Sequence, residues 1–176
     1  MRKFLSLALV AMAVASLGLT ESAFAQRDAG SKIRGDYNFY NGSAGRTYQR
    51  HAYDHSRVLN SYASGNERVP KAVAQEHAKA IRQNVESSKK AYSRLSEAAK
   101  KDAAAAKHLA DIHAAHAKVL AMCDMLDAEC MKAEGDSVKI CKCCADIEKD
   151  LKAADEAHDK LMKQLKLEEP KSSDSK

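Results

Sequence analysis

The chain has 176 residues, with 29 Lys and Arg against 24 Asp and Glu and a formal charge of +5. Basic and acidic side chains alternate, as in Lys149-Asp150, Asp155-Glu156 and Asp159-Lys160. That is the pattern of solvated helix faces and excludes the clustered basic footprint of a nucleic-acid binder. No Trp and few aromatics argue for close packing of small and aliphatic side chains between helices.

Met1 to Ala25 has the layout of a secretory signal. Arg2-Lys3 starts it, Phe4 to Leu19 is apolar, and Ala23-Phe24-Ala25 supplies a small-x-small cleavage site. The apolar run is short for a membrane span, so the expectation is a cleaved signal, a periplasmic or secreted chain from Gln26 onward, and no membrane association afterwards. Taking 25 residues from 176 leaves roughly 150, enough for one domain with a core.

Residues 26–45 hold Gly, Ser and Asn without helical period and read as a flexible leader, its Asp36–Tyr40 aromatics expected to cap one end of the fold. Residues 46–168 carry helical periodicity. Tyr48, Ala52, His55, Leu59 and Tyr62 form a first stripe, which Ser64-Gly65-Asn66 stops. Pro70 opens a second helix with Val73, His77, Ile81, Val85, Ser88, Tyr92, Leu95 and Ala99 on its stripe. A third carries Leu109, Ile112, His116, Val119, Cys123, Leu126 and Cys130. No Gly or Pro separates it from the second, and Asp102 is the N-cap residue at which a break is expected. Gly135 ends the third, and Asp136-Ser137 caps a fourth with Ile140, Cys144, Ile147, Leu151, Ala154, His158, Leu161 and Leu165. The expected fold is all-α, an up-down four-helix bundle, closed by a disordered tail over residues 169–176.

All five cysteines lie between Cys123 and Cys144. A hairpin turning near Gly135 sets Cys123 opposite Cys144 and Cys130 opposite Cys141, with Cys143 off the stripe. Two disulfides, Cys123–Cys144 and Cys130–Cys141, suit an oxidising compartment; thiolate ligation of zinc or copper is the other reading. An exported bundle with inward Cys123, Cys130, Cys141 and Cys144 resembles the cysteine-rich copper-storage bundles, over the last two helices only. Those proteins line most of the core with cysteine, whereas this chain has five and none in its first two helices. Of the multi-copper storage that the resemblance implies, that departure leaves a single copper site open.

Histidine falls on or beside every stripe, at His51, His55, His77, His113, His116 and His158, while His108 lies off-stripe and is expected to be exposed. Counting from the loop end places His55, His77, Cys123 and Cys144 within about 5 Å along the axis, one ligand per helix. That is a Cys₂His₂ set for zinc or copper, with Met122 and Met125 favouring Cu⁺. A second level would draw on His51, His113, His116, Asp155 and His158. No Glu-x-x-His pair, Ser-His-Asp motif or glycine-rich phosphate loop is present, so no enzyme is expected. The leading expectation is an exported bundle that binds copper or zinc. The alternative is a metal-free scaffold, stapled by disulfides, with an interaction or chaperone-like role in the cell envelope and a protein partner or second copy.

Overall fold

A computed structural model describes residues 36–129 and 134–167 of the chain. The signal, Cys130 and the tail from residue 168 lie outside those residues. The described chain is mostly helical, as expected. Four long helices run over Tyr37–Ser64 (α1), Lys71–Ser93 (α2), Ala103–Glu129 (α4) and Ser137–Gln164 (α5), with a short α3 at Glu97–Lys101. α1 packs on α2 and α5, and α4 packs on α5 and α2, so each long helix has two long neighbours.

The helix ends follow from side chains that satisfy the free N–H groups of the first turn. Asp36 accepts from the Asn38 and Phe39 amides at 2.7 and 3.2 Å. Asp136 does the same for Val138 and Lys139. Between α2 and α4 the chain breaks twice, after Ser93 and at Asp102, whose carboxylate accepts from the Ala105 amide at 2.8 Å. The break at Asp102 is the expected one. The earlier end at Ser93 is not, since the apolar stripe of the sequence runs on through Leu95 and Ala99; there Ser96 caps α3 by accepting from the Ala99 amide at 3.2 Å.

Other features also differ from the sequence reading. A small antiparallel ribbon joins the loops at one end: Arg68–Pro70 (β1) pairs with Glu134–Asp136 (β2), with Val69 opposite Gly135. Gly135 leaves room for the Ile140 side chain of α5, whose Cδ1 would lie 2.6 Å from an added Cβ. Another difference is larger. Residues 37–45, read as part of a flexible leader, are the first turns of α1. Gly42 and Gly45 sit there for contact rather than for freedom. A Cβ on Gly45 would meet the Tyr92 ring at 2.7 Å, and one on Gly42 would meet Met162 Sδ at 2.7 Å. Phe39, from the aromatic cluster, packs with Met162 and Leu167.

The buried face of α1 includes Gly45, Gln49, Ala52, Ser56, Leu59 and Ala63, while Tyr48 and Tyr62 are exposed. The expected stripe mixed this inner seam, through Ala52 and Leu59, with an outer one through Tyr48, His55 and Tyr62. On a helix whose core positions are small or polar, hydrophobicity alone selects the wrong side.

Gly45→Ala is expected to cost about 1–2 kcal/mol of stability, net of the helix propensity gained, because the Tyr92 ring cannot retreat from a packed interior. Gly65→Ala, with no neighbour nearer than 3.8 Å and a negative φ, is expected to stay within about 0.5 kcal/mol of the parent. Urea denaturation of both variants checks this; equal stability would reject the close-packing account of Gly45.

Candidate functional site

His55 on α1 and His77 on α2 meet across the helix interface. Their Nδ1 atoms are 3.3 Å apart, and their rings are tilted at 59° with centroids 5.5 Å apart. Both are half-buried, so the pair borders solvent. Desolvation, then the neighbouring His55, lowers the His77 pKa below the ordinary imidazole value, against a smaller upward pull from Glu76. These surroundings favour the neutral form of His77, which carries a lone pair for a proton donor or a cation.

The two cysteines expected beside these histidines lie elsewhere. Cys123 and Cys144 are fully buried in the apolar core, where desolvation pushes each thiol up to about 12. Both are free thiols, as are Cys141 and Cys143, so the expected Cys123–Cys144 bridge is not formed. Cys130, and with it the proposed Cys130–Cys141 pairing, falls outside the described residues. Cys143, read as off the stripe, is also buried, whereas Cys141 is half-buried beside the Ser64 hydroxyl at 3.4 Å. α5 faces two neighbours, so its buried arc is wide enough to take both Cys143 and Cys144. Among the described residues no group of three or more His, Cys, Asp or Glu side chains is arranged to hold a metal ion. Depth along an axis, which residue counting supplies, does not set the direction around it. His55 lies on the outer flank of α1, and the two thiols face the core. Met122 is half-buried in packing and Met125 is exposed.

The deeper histidines form a different structure. His116 and His158, both buried, join a polar chain that takes one or two residues from each long helix. The Tyr92 hydroxyl donates to Gln49 Oε1 at 3.1 Å and lies 2.9 Å from His158 Nδ1. The Gln49 amide nitrogen lies 3.0 Å from His116 Nε2, and Ser88 donates to the Gly45 carbonyl at 2.9 Å while lying 3.4 Å from the same His116 nitrogen. These contacts assign the tautomers. Gln49 donates to His116 Nε2, which leaves the proton on Nδ1, and His158 Nδ1–H donates to the Tyr92 oxygen. His116 Nδ1 has no partner.

This arrangement corrects the second proposed ligand level. Asp155 is held by Arg46 through contacts of 2.6 and 2.9 Å, and Arg46 also reaches Asp159 at 2.8 Å. Burial alone would raise the Asp155 pKa, but the Arg46 hydrogen bond and charge hold it below the usual carboxylate value. His51 and His113 are exposed, the latter with its ring centroid 6.3 Å from that of His116. His108, expected to be exposed, is half-buried with Nδ1 4.0 Å from Asp111. Gln49 escaped the sequence reading altogether. The available signal was a polar side chain spaced four and three residues from Gly45 and Ala52 on the inner seam.

No protein-family model matches the chain, and neither does any curated protein or solved structure.

Burial lowers His116 to about 3 and His158 to about 4, desolvation being the largest cause in both. The unfolded chain therefore takes up protons near pH 6.5 while the folded chain does not. Stability is expected to be complete above about pH 6.5. It should then fall by about 1.4 kcal/mol per pH unit for each histidine, until His158 titrates near 4 and His116 near 3. Denaturation midpoints from pH 7.5 to 4.5 test this. His158→Gln should flatten the slope by about one proton, and a stability independent of pH would reject the buried neutral pair.

Proposed function

We propose that this chain is an exported helical bundle that binds a copper or zinc ion through His55 and His77. The observation that carries the reading is the 3.3 Å separation of the two Nδ1 atoms. With metal–nitrogen bonds of about 2.0 Å, the edge of a tetrahedron is about 3.3 Å, so both lone pairs can turn on one ion with little movement of either helix. Without an ion, one imidazole donates its N–H to the other.

Buried thiols that stay protonated take no part in this site. The ring of packing among the four long helices supports the up-down bundle, and the Ala23-Phe24-Ala25 motif supports export. No described helix is long and apolar enough to cross a membrane. A metal-free scaffold is the second reading, favoured by exposed aromatics concentrated on α1. It predicts no change in melting with metal.

Zinc and copper(I) titrations of the purified chain decide between them. His77→Ala should weaken binding at least tenfold, His108→Ala should leave it unchanged, and bound metal should raise the melting temperature of the parent. Equal affinity in the parent and His77→Ala would reject the site.

A further inference from the structure

Two imidazoles fill only half of a tetrahedral ion's coordination, and among the described residues no further ligand completes it. We propose that a second copy of this chain does, by packing α1 antiparallel against α1 so that the exposed His51 of each copy joins the His55–His77 pair of the other. This rests on the reading of His55 and His77 as metal ligands.

The observations lie on the outer face of α1. Of the seven large hydrophobic side chains exposed among the described residues, five belong to this helix: Tyr37, Tyr40, Tyr48, Val58 and Tyr62. At 100° per residue they fall within an arc of about 80°. The same face repeats in alternating steps of four and three, through Ala44, Tyr48, His51, His55, Val58 and Tyr62. That is the spacing of a helix–helix seam, and it lies about 100°, one residue's turn, around α1 from the inner seam at Gly45, Gln49, Ala52, Ser56, Leu59 and Ala63. Within its own fold α1 packs on α2 and α5, and His55 of the outer seam meets His77 of α2, while Tyr48, His51, Val58 and Tyr62 of that seam stay exposed.

The outer seam is complementary to itself. A two-fold axis crossing the seam at the height of residue 53 sets Ala44 opposite the second copy's Tyr62, Tyr48 opposite its Val58, and His51 opposite its His55. Each large ring meets a smaller side chain, and the pattern is the same read from either copy, as an isologous contact requires. The centre of that seam is histidine. Each His55–His77 pair then gains an imidazole from across the axis, giving three nitrogens per ion with one position left for water. The arrangement accounts for His51, which is exposed and takes no part in the buried network, and for aromatics that flank histidine on a solvent face.

Light scattering of the full-length chain, with and without Zn²⁺ or Cu⁺, together with metal titration, tests the proposal. The expected result is a doubling of mass on adding metal, at one ion per chain. His51→Ala should keep its helical spectrum, weaken metal binding at least tenfold and stay monomeric. Val58→Glu, which leaves every ligand in place, should also stay monomeric. A parent that binds one ion per chain as a monomer, or a His51→Ala variant that binds and dimerises like the parent, overturns the shared site and leaves the His55–His77 reading standing. A dimer that forms equally without metal and survives Val58→Glu overturns the seam. Failure of the parent to bind either ion removes both readings.

Discussion

A tyrosine laid against a helical glycine sets the distance between α1 and α2, and much of the interior depends on that distance. The Gly45 backbone lies against the Tyr92 ring so closely that a methyl group would not fit. Close approach brings the phenol hydroxyl to Gln49 and lets Ser88 reach the Gly45 carbonyl. It also leaves Tyr92 almost wholly buried, so its hydroxyl must find partners inside the protein. His158 and Gln49 provide them, and Gln49 in turn meets His116. A buried polar group without a partner costs about 1–3 kcal/mol, and the network avoids most of that cost. His116 Nδ1 is where the accounting does not close.

Periodicity made the helices legible, because a long amphipathic segment has few other ways to bury its apolar positions. Asp136 and Asp102 marked two starts for the same reason, as each offers an oxygen to orphaned amides. α1 was read less well. Its inner seam contains Gly45, Gln49 and Ser56, none of them apolar by the usual ranking, and its outer seam contains three tyrosine or valine side chains. Hydrophobic pattern therefore drew the stripe between the two seams. The glycines compounded the error: Gly42 and Gly45 look like linker residues until the ring and the thioether that occupy their missing Cβ space are known.

The candidate site divides along the same line. His55 and His77 were placed at one depth by counting residues, and they do meet, because adjacent antiparallel helices turn equal counts into equal heights. Cys123 and Cys144 share the depth but not the direction. Axial position follows from the 1.5 Å rise, whereas azimuth depends on which side of each helix its neighbours cover. For α5, packed on both α1 and α4, that covered arc takes in Cys143 and Cys144 together. A helical wheel drawn for one apolar stripe has room for one of them.

The histidines sort into two kinds by the supply of partners around them, not by their spacing in the chain. His116 and His158 are enclosed, held neutral by desolvation, and hydrogen-bonded to side chains that are themselves fixed by packing. Moving either nitrogen onto an ion would break bonds that nothing else inside would replace. His55 and His77 are tied mainly to each other and border solvent, so one shared proton is all that an ion must displace. The two arrangements also fasten the same pair of helices at different heights. Gly45 and Gln49 tie α1 to Ser88 and Tyr92, and His55 meets His77 roughly 10–15 Å further along. An ion at the upper contact would stiffen a helix pair whose lower contact is already fixed by the buried network. Binding energy would then go into restraining the end of α1 nearer the ribbon, the end from which the outer seam presents His55, Val58 and Tyr62.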